Sequence, residues 1–201
     1  MPTANVLEYG LTRQIFFAKY INWVVAFPAV VVALGLLSGV AWAAIVYNVA
    51  LSWVWVVSYL VSAFTATNYK WGFFAFGTVA WALLAVSTLL DGRRGAQRVE
   101  VARDHTLLAG LANLLWLLYP IAFGLSDGGN RIGVTAGFVF FGVLDVLLGP
   151  LLAFAFIVLS RNWDYGRLNI AFTQYGRVRQ AGTFPEKDVP RGGPVSAEAA
   201  A

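Results

Sequence analysis

From Tyr20 to Tyr69 the chain runs fifty residues without an Asp, Glu, Lys, Arg or His. A surface helix of a soluble domain keeps a polar face toward water, and this block has none to offer. A bilayer suits it better. The hydrocarbon core is about 30 Å thick and is crossed by about 20 apolar residues in a helix. Fifty residues are too many for one crossing, and Ser38-Gly39 marks the fold-back. Spans are therefore expected at 15–37 and 41–65. Further apolar blocks give spans at 71–90, 107–125 and 134–159, the last interrupted by Asp145 and by Gly149-Pro150. The predicted fold is an all-α integral membrane protein with five transmembrane helices. A β-barrel is excluded, because the blocks are continuously apolar and do not alternate.

Composition agrees. Hydrophobic residues make up 59% of the 201 and charged residues 12%, against about 45–50% and about 25% in soluble domains. The net charge of +4 is modest, and no nucleic-acid partner is expected. Without cysteine, and with His105 as the one histidine, disulfides and thiolate chemistry are excluded and imidazole-based metal sites nearly so. No metal site and no enzyme class are indicated. Residues 1–14 are polar and lack the apolar core of a signal peptide. They are expected to form an extracellular N-terminal segment.

Orientation follows from the basic residues. The segment 91–105 carries Arg93, Arg94, Arg98 and Arg103, and the segment 161–201 carries Arg161, Arg167, Arg177, Arg179, Lys187 and Arg191. Five spans put these ten on one side, which is expected to be cytoplasmic. Arg13, Lys19, Lys70 and Arg131 face the other way. The N-terminus is thus outside. The tail 161–201 is expected to lie along the interface to about 178 and to be disordered from about 180.

Ionisable groups inside a span are costly and so draw attention. Asp145 is the carboxylate well inside one, and Lys19 lies a turn into the first. Lys19, Asn22 and Ala26 share a helix face, as do Trp116, Tyr119 and Phe123 on the fourth span, and Asp145 and Gly149 on the fifth. Two readings stay open: a packed interior in which Asp145 pairs with Lys19 and Tyr119, or a ligand or transport site.

The motifs carry a resemblance. Ile15-Phe-Phe-Ala-Lys-Tyr-Ile-Asn-Trp23 followed by Pro28, Tyr69-Lys-Trp-Gly-Phe73, Leu115-Trp-Leu-Leu-Tyr-Pro120 and Phe141-Gly-Val-Leu-Asp145-Val occur in this order. They resemble the third, fifth, sixth and seventh helices of the fungal branch of microbial rhodopsins. The resemblance covers about Gly10 to Arg161. It implies a rhodopsin-like bundle in which the five spans correspond to helices three to seven of seven, with an N-terminally truncated look.

The same resemblance assigns roles to positions and shows which are vacated. The lysine that binds retinal as a Schiff base falls at Gly149. The primary proton acceptor falls at Asn22, the proton donor at Ala33, a threonine at Ala26, and the usual arginine at Lys19. The counter-ion Asp145 and the pocket aromatics Trp23, Trp116 and Tyr119 are retained. Phe73 and Phe123 fall where the family often has Trp. Covalent retinal is therefore not expected as a cofactor.

This pattern is that of the opsin-related proteins of fungi, which include a stress-induced plasma-membrane heat-shock protein. The implied function is non-photochemical and stress-linked, exerted at the plasma membrane through membrane lipids, a membrane-protein partner such as the proton ATPase, or a homo-oligomer. Basic residues near anionic lipid contribute roughly 1 kcal/mol each. The alternatives are a retinal-binding light-driven ion transporter or photoreceptor, and a passive carrier of a small solute through the space left at Gly149, Ala26 and Ala33.

Overall fold

The structure is a computed structural model that describes residues 3–6, 12–164 and 168. Two short antiparallel strands, β1 (Thr3–Val6) and β2 (Thr12–Ile15), pair with Thr3 opposite Ile15 and Val6 opposite Thr12. The helices follow. They are α1 (Ala18–Ser38), α2 (Trp42–Phe64), α3 (Lys70–Val86), α4 (Gly92–Arg98), α5 (Ala102–Phe123), α6 (Val134–Val146) and α7 (Leu152–Ser160). Single π-helical turns at Ser87–Asp91 and Leu147–Leu151 join α3 to α4 and α6 to α7, and a third, Gly124–Gly128, extends α5. Among the described residues the result is five rods long and apolar enough to cross a membrane: Ala18–Ser38, Trp42–Phe64, Lys70–Arg98, Ala102–Gly128 and Val134–Ser160. Five such rods match the number of spans expected from the hydropathy of the sequence.

The first fold-back falls at Ser38-Gly39. Gly39 closes α1 with φ of 68°, a left-handed conformation in which a Cβ would clash with the chain's own carbonyl. The segment 91–105, read from hydropathy as a loop, is instead mostly helical. The third rod continues to Arg98, the break sits at Glu100 with φ of 62°, and α5 starts at Ala102. Charge does not stop a helix once it leaves the hydrocarbon, and Asp91 and Arg94 form an i, i+3 ion pair at 3.2 Å along this stretch.

Prolines 28, 120 and 150 sit within the helical rods. Pro150 lies in a π turn, a local adjustment by which a membrane helix accommodates a lost backbone donor. Ser52, Ser58, Thr78, Thr88 and Ser126 turn their hydroxyls onto carbonyls three or four residues back on their own helices, at 2.6–2.8 Å. These five hydroxyls thus cross the apolar region with their protons hydrogen-bonded.

Large apolar side chains point outward from every rod, among them Val25, Val46, Phe76, Val79, Phe138, Val143 and Phe154. In water such a surface would drive aggregation, and in lipid it is the solvent-facing surface. Inside, α1, α2 and α5 meet around a cluster of rings. Phe27 lies 4.9 Å from Trp55, 5.1 Å from Tyr119 and 6.0 Å from Trp116 between ring centroids. Of the tail, residues 161–164 and 168 are described. Trp163 donates its indole N–H to Asp104 at 2.8 Å. The rest of the expected interfacial and disordered tail lies outside the described residues.

Candidate functional site

Two carboxylates organise the interior. Asp145 is the penultimate residue of α6, two residues before the start of the turn that holds Pro150. Its Oδ1 accepts the Tyr119 hydroxyl at 2.7 Å and the Trp23 indole N–H at 2.9 Å, and its Oδ2 lies 3.5 Å from the Asn22 amide nitrogen. Tyr119 comes from α5, Trp23 and Asn22 from α1. The i, i+3 spacing of Trp116 and Tyr119 sends both rings inward, and both are fully buried. Trp23 packs edge-on against Tyr119 at 5.2 Å and lies 5.0 Å from Phe141. Trp116 meets Trp55 edge-on at 6.2 Å, and Phe123 stacks with Phe74 at 5.5 Å and lies 4.8 Å from Tyr59.

The second carboxylate is Asp127, in the π turn that ends the fourth rod. It forms an ion pair with Lys19 Nζ, accepts the Tyr20 hydroxyl at 2.8 Å, and faces Arg13 Nε at 3.7 Å. Arg13 also donates to the Ile132 carbonyl at 2.9 Å and to the Asn130 side chain. Arg13 is 4% exposed, and Asp127 is buried with it. Charges in such a place persist when each is paired and hydrogen-bonded.

This corrects the expected ion pair: Lys19 binds Asp127, not Asp145. Lys19 lies in the first turn of α1, at the end of the bundle where the π turn carries Asp127 back over it. Asp145 is served by neutral donors instead.

A groove of about 760 Å³ opens between α1 and the fifth rod. Asn22, Ala26 and Ala33 line one wall and Asp145, Gly149 and Ala153 the other. Lys19 does not line it. Gly149 faces open space, since a Cβ built there meets nothing within 4 Å. The wall is almost wholly apolar, with Asp145 and Asn22 as its polar groups among the described residues. Such a surface accommodates acyl chains, a small apolar molecule or a helix, and offers one acceptor for orientation.

The model of the family described as bacteriorhodopsin-like protein matches residues 4–164. The chain belongs to the bacteriorhodopsin-like family. The opsin-like protein carO of Fusarium fujikuroi is 35% identical over 80% of this chain and 53% of its own length. The 30 kDa heat shock protein of Saccharomyces cerevisiae is 30% identical over 79% and 50%. The chain therefore spans about half the length of these curated relatives. Among solved structures, the light-driven proton pump LR (Mac) of Leptosphaeria maculans superposes with a TM-score of 0.73 at 29% identity, covering 75% of this chain and 63% of that one.

Within this bacteriorhodopsin-like bundle, Trp23, Trp116, Tyr119 and Phe123 all lie in the buried aromatic cluster, and Asn22 and Gly149 both lie on the groove. Phe73 does not join them. It is 40% exposed, and its neighbour Phe74 is the ring that packs inward against Phe123. One residue of helix changes the facing by about 100°, too fine a distinction for an apolar run. The residues that sequence reasoning passed over are Arg13, Tyr20, Asp127 and Asn130. Ser126-Asp127-Gly128-Gly129-Asn130 has the composition of a loop, and no spacing signal ties it to Arg13.

Proposed function

We propose that this chain is a non-photochemical, stress-linked opsin-related protein that works at the plasma membrane through lipids or a membrane partner. The observation that carries this reading is the placement of its amines. The rod Val134–Ser160 has no lysine, and Gly149 stands on the groove where the resemblance puts the Schiff-base lysine. The ammonium of Lys19 is held by Asp127 away from the groove, and Lys70 lies beside the Trp71 ring at the first residue of α3. A glycine cannot form an imine, so the residues on the groove do not fit covalent retinal.

The five rods are read as helices three to seven of a rhodopsin bundle, with the N-terminus outside and the arginine-bearing α4 and tail in the cytoplasm. The stress link is supported by the likeness to the 30 kDa heat shock protein. The partner this reading favours is the plasma-membrane proton ATPase.

The test is reconstitution with all-trans retinal. The native chain should give no red-shifted visible band that hydroxylamine bleaches, and borohydride should trap no chromophore on it. Gly149→Lys, at a position on the groove where an added Cβ meets nothing within 4 Å, serves as the comparison expected to gain such a band. A hydroxylamine-sensitive band in the native chain would overturn the reading. A second reading is a small-solute carrier, favoured by the small residues along the groove and by Asp145 at its edge. It requires that Asp145→Asn alter solute flux in liposomes.

A further inference from the structure

Away from the groove, at the end of the bundle where Gly39 turns the chain, a small cavity of about 20 Å³ lies among α1, α2, the Ser87–Asp91 turn and α5. Its polar lining comprises Ser38, Asn48, Ser87, Thr88, Asp91 and His105. Asn48 is 6% exposed and His105 is 1% exposed. Several of the groups already have partners. Ser38 donates to the Gly35 carbonyl at 3.0 Å, and Thr88 donates to the Leu84 carbonyl at 2.8 Å while accepting from Asn113 at 3.0 Å. Two are left over: Asn48 Oδ1 and His105 Nδ1 are buried without a hydrogen-bond partner among the described residues.

Both leftover atoms are acceptors when His105 is neutral with its proton on Nε2. Two buried acceptors beside one cavity call for a donor with two hydrogens. A water needs roughly 10–15 Å³ of such space and two or more polar partners, and the cavity supplies both. It is too small for an organic ligand. A bare cation would want a carboxylate, and the one at the rim, Asp91, is bound to Arg94 at 3.2 Å with its side chain largely in solvent.

We propose that this cavity holds one ordered water, which donates one hydrogen to Asn48 Oδ1 and the other to His105 Nδ1. The water joins α2 to α5 at this end of the bundle. The neighbouring packing explains why solvent takes the place of a larger side chain. A Cβ at Gly92 would come within 2.8 Å of His105 Nε2, and one at Gly95 within 2.4 Å of the Ser38 carbonyl. The third rod is therefore pressed against both walls.

His105 is the chain's one histidine, so 15N-histidine labelling gives a single-site probe. The full chain in lipid nanodiscs should show magnetisation transfer from a long-lived water to the His105 ring, with the Nδ1 resonance of a hydrogen-bonded acceptor. Asn48→Leu, which removes one acceptor and fills the space, should abolish the transfer. Absence of a water contact at His105 in the native chain would overturn the proposal, as would a contact of unchanged strength in Asn48→Leu. Should that variant fail to fold, the native spectrum alone decides between a hydrated and a dry cavity.

Discussion

Tyr119 donates its phenolic proton to Asp145 at 2.7 Å, tying the C-terminal part of α5 to α6 just before the Pro150 turn. Trp23 donates to the same oxygen from α1. Three rods thus converge on one carboxylate, and Asp145 also lines the groove.

Tyr119→Phe removes one of the two close donors to Asp145 while keeping the ring. Hydrogen bonds to charged groups contribute about 1.5–3 kcal/mol, and Asp145 is half open to the groove, so a loss of about 1–2 kcal/mol is expected. Thermal unfolding in one detergent measures it. In a double-mutant cycle with Asp145→Asn, part of that loss should vanish, because the shared bond is already weakened. Full additivity would contradict the bond.

Asp127→Asn should be more damaging than Asp145→Asn. It leaves Lys19 and Arg13 without their counter-charge in a buried place, and removing one partner of a buried pair costs about 3–5 kcal/mol. Lys19→Met should couple to Asp127→Asn far more strongly than to Asp145→Asn. Unfolding midpoints of the three single and two double variants give both couplings, and equal coupling to the two carboxylates would reject the assignment.

Two glycines should respond in opposite directions to the same methyl group. At Gly95 a Cβ would lie 2.4 Å from the Ser38 carbonyl oxygen. Backbone there has no flexible end to move aside, and Gly95→Ala should destabilise by about 1–3 kcal/mol. At Gly149 the space is open, and alanine favours a helix by up to about 1 kcal/mol. Gly149→Ala should therefore be neutral or stabilising. Melting curves of the pair under matched conditions decide it.

Much of the architecture was legible from residues 20–69 alone. A long charge-free run has one stable solvent, hydrocarbon, and its length over the bilayer thickness sets the number of crossings. The fold-back at Ser38-Gly39 could be read because glycine at a left-handed position is a local necessity. The aromatic set Trp116, Tyr119 and Phe123 could be read because i, i+3 and i+7 share a helix face whatever surrounds it.

Other features depended on how the rods lie against one another. The partner of Lys19 was one, since which of two carboxylates a cation meets is settled by the depth at which each helix end sits, and the Gly124–Gly128 turn brings Asp127 to that depth. Phe74 facing inward rather than Phe73 was another, a matter of helix rotation that an all-apolar sequence does not encode. The groove was the third: Asn22, Ala26, Gly149 and Ala153 form a surface only once α1 and the fifth rod stand side by side. Spacing along a chain reports what one helix shares with itself, and only packing brings two helices to a common wall.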